Sequence, residues 1–303
     1  MMWQSLRRSY SQYLQLERGL SRHSIDAYLR DLDKLHQYLE AHHRGVSVTE
    51  LSPQHLRGYV QFLHELGLSA RTQARMTSAM RNFFAYLVEE GVMEDNPALE
   101  IDLPKLRRHL PEVLSVEEVE RILRAVDLSH PMGHRDRAIL ETLYACGLRV
   151  SELIHLESAS VYSEEGFIRV IGKNNKERYI PIAPTALHQI ELYRQHVRSH
   201  LPIAPDSAHI LFLNHRGRKL SRVAVFQMIK KYTHLAGIRK NVSPHTFRHS
   251  FATHLVEGGA DLRVVQQLLG HASILTTEIY THIQREYLRE TLLRYHPLHQ
   301  GED

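Results

Sequence analysis

SPHTFRHSFATHLVEGGADLRVVQQLLGHASILTTEIYTH, running from Ser243 to His282, holds the densest chemistry of the chain. Apolar residues recur at helical spacing over Thr246 to Glu257 and again over Leu262 to Leu269, which predicts two helices. His245 and Arg248 form an H-x-x-R pair, His271 follows in LLGHAS, and Tyr280 comes nine residues after it. All four fall within 36 residues. Two imidazoles able to move a proton, a cation that keeps its charge and a phenol that can attack are side chains suited to phosphodiester chemistry.

Upstream of that stretch, Ser115-Val-Glu-Glu118 reads as a capping box opening a helix. A helix over Arg135 to Ala145 stops at Gly147, and Arg149 begins the next, Val150 to Leu156. Arg149 stands in the apolar context Gly147-Leu148-Arg149-Val150. An unpaired cation is costly to bury there, so a waiting anionic ligand accounts for it better than a surface salt bridge. From Gly166 to Ile182, two apolar runs flank the polar turn Lys173-Asn174-Asn175-Lys176, which predicts a β-hairpin with lysines at its tip. Helical spacing returns over Thr185 to Ser199, Arg222 to Leu235 and Arg285 to Tyr295, with a short strand expected at His209 to Leu213. This part of the chain is mostly α with a small sheet.

The first hundred or so residues read differently, as a separate all-helical module of domain size. Four helical blocks, Trp3 to Leu16, Arg22 to His42, Pro53 to Leu66 and Ser69 to Glu90, are followed by Gly19, Gly45, Gly67 and Gly91 as stop signals. Ser52 caps a helix whose first residue is Pro53. Between Gly67 and Asn82 stand Arg71, Arg75 and Arg81 and no acid. Arg71 and Arg75 share a helix face, and Ser78 and Asn82 add neutral donors nearby, so phosphate contact is expected there rather than a merely solvated surface. Asp95 to Pro111 carries three prolines and the cluster Lys105, Arg107 and Arg108, the composition of an extended linker. The expected domains are residues 1–107 and 108–303.

Composition agrees and excludes more than it assigns. At 303 residues and 43% hydrophobic, the chain can bury two cores. No apolar run is long enough to span a bilayer, and MMWQSLRRSYSQYL is amphipathic rather than a leader, so a cytoplasmic protein without a membrane partner is expected. The single cysteine, Cys146, excludes an internal disulfide framework. A formal charge of +4 is too mild to identify a nucleic-acid binder by itself.

Taken together, the Ser243–His282 motifs, Arg149 in ACGLRVSEL and Lys173 in VIGKNNKER resemble the active site of the tyrosine recombinases, in the phage integrase family. The similarity runs along almost the whole chain and is strongest to the Xer branch, which resolves bacterial chromosome dimers. It implies a mainly α fold: an N-terminal four-helix SAM-like core-binding domain, then an α+β catalytic domain with a small antiparallel sheet. It also implies a C-shaped clamp on double-stranded DNA, and a tetramer on two sites made with a second Xer recombinase or with itself. A DNA translocase of the FtsK type is a possible activator within the resemblance, and the segment Ile283 to Tyr295 corresponds to an element that packs into a neighbouring protomer in relatives.

The roles follow from resemblance and chemistry together. Tyr280 would attack the phosphate, leaving a 3′-phosphotyrosine; a phenol with a reference pKa of about 10 must shed its proton as it attacks, and His245 is placed by the resemblance to take it or to hydrogen-bond the phosphate. His271 would donate to a non-bridging oxygen, and Arg149 and Arg248 would stabilise the charge that builds there. Lys173 would protonate the departing 5′ oxygen, with Lys176 and Arg178 left to contact phosphate. No metal or cofactor is required, because the covalent intermediate keeps the phosphodiester energy for religation. The alternatives are an integrase or transposase of a mobile element, a non-catalytic helical DNA-binding regulator, and a metallohydrolase using His245 and His249 four apart on a helix with His254 and His271 nearby. The last has Thr246 where H-E-x-x-H needs its glutamate.

Overall fold

A computed structural model of the chain describes residues 3–102, 112–172, 176–270 and 282–299. It separates into two compact units, Met1–His109 and Leu110–Asp303, each with its own hydrophobic core. The junction between the expected domains lies outside the described residues.

The first unit is four helices: α1 (Trp3–Leu16), α2 (Arg22–His42), α3 (Pro53–Glu65) and α4 (Ala70–Glu89). Serines precede the last three. Ser21 Oγ accepts from the Ser24 N–H and Ser69 Oγ from the Thr72 N–H, each at 3.3 Å, and Pro53 occupies the first turn of α3. Helix α4 buries Met76, Met80, Phe83, Phe84 and Leu87, a stripe at helical spacing. The Tyr10 ring meets Phe83 edge-on at 5.2 Å. Each such buried aromatic contributes about 1.5–3 kcal/mol relative to exposure, so this stripe anchors α4 and fixes which of its faces is left outward. That outward face carries Arg71, Arg75, Ser78 and Asn82, all exposed.

The second unit opens with α5 (Val116–Arg124), α6 (Gly133–Cys146) and α7 (Val150–Ile154). Helix α6 is buried along its whole second half, from Ala138 to Cys146, as its near-continuous apolar sequence requires, and α8 and α10 pack on it. A three-stranded antiparallel sheet follows, β1 (Val161–Tyr162), β2 (Phe167–Ile171) and β3 (Glu177–Pro181), in the order β1-β2-β3. The β2–β3 hairpin pairs Phe167 with Pro181 through to Ile171 with Glu177. Helices α8 (Pro184–His196), α9 (Arg222–Leu235), α10 (Pro244–Glu257), α11 (Leu262–Leu269) and α12 (His282–Tyr295) complete the unit. The architecture is the mainly α one expected, with its small antiparallel sheet.

Two local readings differ. His209 to Leu213 is no strand: Ile210 bridges Glu157 and Leu213 bridges Lys219, one residue each, because the segment runs between two short partners that turn away. β1 is only two residues long, too short for an alternation to show in sequence. Helix α12 packs on β3, α10 and α11 of its own chain, with Leu288 and Leu292 buried in the unit's core. The apolar residues read as an interface with a neighbouring protomer thus have a place inside the same chain.

Candidate active site

Helix α11 ends at Gly270, in the left-handed conformation with φ 64° and ψ 46°. The backbone favours glycine, and a Cβ there would lie 3.1 Å from Arg178 Cδ, a tight approach. A helix end leaves its last carbonyls without helical donors and carries partial negative charge. Three arginines meet that end. Arg178 Nε donates to the Leu268 carbonyl at 3.2 Å, Arg248 Nη2 to Leu269 at 2.6 Å, and Arg149 Nη2 to Gly270 at 3.3 Å.

These arginines come from three distant parts of the sequence. Helix α6 stops at Gly147, again left-handed at φ 55°, where a Cβ would strike the Phe251 ring at 2.5 Å. The reversal makes Arg149 the residue just ahead of α7, with its backbone N–H donating to Glu152 Oε2 and its Nη1 to Glu152 Oε1, both at 2.8 Å. Arg178 comes from β3 and grips the same carboxylate with both ends of its fork, at 2.7 and 2.9 Å. Arg248 comes from α10, buried, and its Nη1 donates to the Gly147 carbonyl at 2.7 Å.

Electrostatics decide what this cluster can bind. Burial pushes the Glu152 carboxyl up, but hydrogen bonds and charge from Arg178 and then Arg149 outweigh it and hold the group below the usual carboxylate range. It is ionised at neutral pH. Burial first, then repulsion from Arg149, lowers Arg248 to about 10, with Glu152 opposing and Arg178 adding to the shift. Arg248 therefore stays charged at neutral pH. Among the described residues of the cluster, three guanidinium charges against one carboxylate leave two positive charges in excess. Arg149 is the partly open member, its side chain 31% exposed, against 7% for Arg178. By its charge, such a cluster favours an anionic neighbour.

His245 lies in the first turn of α10, one turn ahead of Arg248, and is exposed. Lys176 is exposed at the end of the hairpin, where the Gly172 N–H donates to its carbonyl at 2.7 Å. Lys173, His271 and Tyr280 lie outside the described residues. What the structure places are their neighbours, Gly172 before Lys173 and Gly270 before His271.

Three arginines expected on DNA are held by the protein instead. Arg178 is buried, its fork closed on Glu152 and its Nε on the Leu268 carbonyl. Arg75 pairs with buried Asp31 of α2, and Arg81 donates to the Ala98 carbonyl at 3.1 Å and to that of Ile101. Both partners come from outside α4, which a reading of α4 alone could not include. Arg71 is exposed and, among the described residues, makes no hydrogen bond or ion pair. It remains available for phosphate. Of the histidines in the metallohydrolase alternative, His254 is buried with Nδ1 2.8 Å from the Tyr144 hydroxyl, and among the described residues no cluster of three or more His, Cys, Asp or Glu is arranged to hold a metal.

Glu152 was not singled out from sequence. Its signal was present in LRVSEL: an acid three residues after Arg149 on a short helix with apolar neighbours is an acid needing a buried cation.

The cluster is thus positively charged and partly open, in a mainly helical chain of two units. The chain belongs to the phage integrase family, whose model matches residues 112–286, while the phage integrase N-terminal SAM-like domain matches residues 8–91. It is 44% identical over 298 residues to the tyrosine recombinase XerD of Chlorobaculum tepidum, covering 97% of both chains. With the tyrosine recombinase XerD of Listeria monocytogenes serotype 4b it shares 42% over 285 residues, covering 94% of this chain and 96% of the relative. Among solved structures, it is similar to the XerH site-specific recombinase bound to a palindromic difH substrate in a post-cleavage complex, with a TM-score of 0.69 and 25% identity over 91% of this chain and 81% of that one.

Proposed function

We propose that this chain is a site-specific DNA recombinase that cleaves and rejoins duplex DNA through a 3′-phosphotyrosine and a Holliday junction, resolving chromosome dimers at a dif-like site before cell division. The observation that carries the chemistry is the arginine cluster at the end of α11, with its excess of two positive charges and its opening at Arg149. An in-line attack concentrates negative charge on the non-bridging oxygens, and cations held in place beforehand lower that barrier without reorganising. Arg149 and Arg248 serve this end, held in place beforehand by Glu152 and by the carbonyls of Gly147, Leu269 and Gly270. His245 accepts the proton of Tyr280, His271 donates to the phosphate, and Lys173 protonates the leaving 5′ oxygen. Arg71 and Lys176 contact phosphate from the exposed α4 face and the hairpin end.

The high identity to XerD proteins over nearly their full length supports chromosome resolution over the integration of a mobile element. The active form is a tetramer on two sites, built with a second Xer recombinase or with itself, in the cytoplasm and open to activation by a translocase of the FtsK type. Among the described residues no helix is long and apolar enough to cross a membrane.

The test uses a nicked suicide duplex in excess chelator. Wild type is expected to leave a DNA adduct that survives denaturing electrophoresis, whereas Tyr280→Phe binds the duplex and leaves none. Adduct undiminished in that variant, or cleavage that requires added zinc, overturns the mechanism. Sequencing genomic fragments bound by the protein separates the biological roles: one site near the replication terminus supports dimer resolution, scattered element ends an integrase.

A further inference from the structure

Three segments of the second unit converge on the Arg178 side chain. Its two terminal nitrogens hold Glu152, and Glu152 holds both the backbone N–H and the guanidinium of Arg149. Its Nε holds the Leu268 carbonyl at the end of α11. The side chain also lies against two glycines. A Cβ on Gly270 would come within 3.1 Å of Arg178 Cδ, and one on Gly172 within 3.3 Å of Arg178 Nη1 and 3.6 Å of Glu152 Oε1. Gly172 is the last described residue before Lys173, and Gly270 the last before His271.

We propose that Arg178 is a positioning residue that sets the hairpin, Arg149 and the end of α11 in one common frame, so that the leaving-group acid and the phosphate-binding cation are aligned together. This rests on the recombinase reading above. The reason for arginine is geometric. A carboxylate and a carbonyl lying on different sides of one planar group need three donors in fixed directions, which a guanidinium supplies and an ammonium cannot. Burial makes the frame stiff, since an acid and a cation at 2% and 7% side-chain exposure have no water to exchange with. Any shift in the Arg178 fork is passed to Gly172 on one side and to Arg149, through Glu152, on the other.

A role confined to stability and a role in alignment differ in one measurable quantity. Replacing the bridging 5′ oxygen of the scissile phosphate by sulfur removes most of the need for a general acid, so the sulfur-to-oxygen ratio of cleavage rates reports whether the acid is aligned. Arg178→Lys keeps the charge and loses the fork. With the folded fraction matched by thermal melting, this variant is expected to bind the duplex within about twofold of wild type and to cleave the oxygen substrate at least about tenfold more slowly. Its sulfur-to-oxygen ratio should rise at least about fivefold above wild type, short of the rise in Lys173→Ala, because Arg149 is displaced as well. An unchanged oxygen rate, or a slower rate with the wild-type ratio, overturns the proposal. If Arg178→Lys does not fold, Gly172→Ala decides: it keeps every ion pair and presses one methyl on Nη1, and its ratio should rise about threefold, an unchanged ratio being the contrary result. Wild type that leaves no adduct on either substrate removes the recombinase reading and this proposal with it; a wild-type adduct with an unmoved ratio in the variants removes the proposal alone.

Discussion

Arg75 in the first unit and Arg248 in the second are both arginines on helices in contact with a core, yet they are bound in opposite ways. Arg75 lies half exposed over Asp31, a charge against a charge, and the pair is locally neutral. Arg248 is buried among neutral carbonyls, with Arg149 and Arg178 close enough to lower its pKa, and a single carboxylate serves the three. The first arrangement is complete without a ligand. The second keeps an unbalanced positive charge, which a phosphate would offset. The difference separates arginines that hold a fold from arginines that await an anion.

The sharpest way to break the comparison is to remove each charge and measure cleavage at saturating DNA. Arg248→Ala should slow adduct formation by about 10²–10³-fold, the usual cost of losing one preorganised donor to a developing oxyanion. Arg75→Ala should leave the same rate within about threefold, because its charge is already neutralised by Asp31 inside the first unit. Equal losses in the two variants would mean that local charge balance does not distinguish their roles.

Next in size is Glu152, the shared counter-charge. Glu152→Gln leaves buried Arg178 and Arg149 without their carboxylate and should destabilise the second unit by about 3 kcal/mol at neutral pH, as breaking a buried pair does. The sign with pH follows from the depressed carboxyl. A folded pKa below the unfolded one contributes stability that is present above the unfolded value and is lost as pH falls through the folded value. Wild type and Glu152→Gln should thus differ most near neutrality and converge in acid, as followed by denaturant midpoints across pH. A gap that widened in acid would show that Glu152 is not the ionised partner.

How legible these roles were depended on sequence distance. Helices α1 to α4 were read to within a residue or so, since capping serines, stop glycines and apolar spacing are local signals. Arg149 was singled out because its own apolar neighbours make an unpaired charge costly, yet Glu152, three residues on, already pairs it. The intramolecular partners of Arg75 and Arg81 were not legible, because Asp31 lies 44 residues from Arg75 and the Ala98 and Ile101 carbonyls 17 and 20 from Arg81. The partner of Arg178 was hidden for the same reason, its acid being 26 residues away on another element. A run of arginines without nearby acids shows where charge is, and only the fold shows whether it is already neutralised.

A smaller effect tests the first half of the comparison in the absence of DNA. Arg75→Ala strands the buried Asp31 carboxylate, so the first unit should lose about 1–2 kcal/mol, discounted for the half-exposed arginine. The double variant Arg75→Ala/Asp31→Asn should regain most of that loss, seen as recovery of the thermal midpoint. If Arg75 instead served DNA alone, the free protein would melt unchanged and the double variant would be no better than the single one.

Arg71 should give the smallest change. It shares the outward face of α4 with Arg75, Ser78 and Asn82, and no group among the described residues neutralises it. One phosphate contact from an exposed, flexible cation is worth about 1 kcal/mol, so Arg71→Ala should weaken duplex binding about fivefold. Its signature lies in the salt dependence. Removing one phosphate contact should make the plot of log affinity against log salt shallower by about 0.9, uniformly over different duplex sequences, while the free protein melts as before. Arg75→Ala should give the converse, a lowered melting temperature with the salt slope retained once the folded fraction is matched. Were both slopes to fall by the same amount, Asp31 would have to release Arg75 when DNA binds, and the neutral pair seen here would be the resting form of a second phosphate contact.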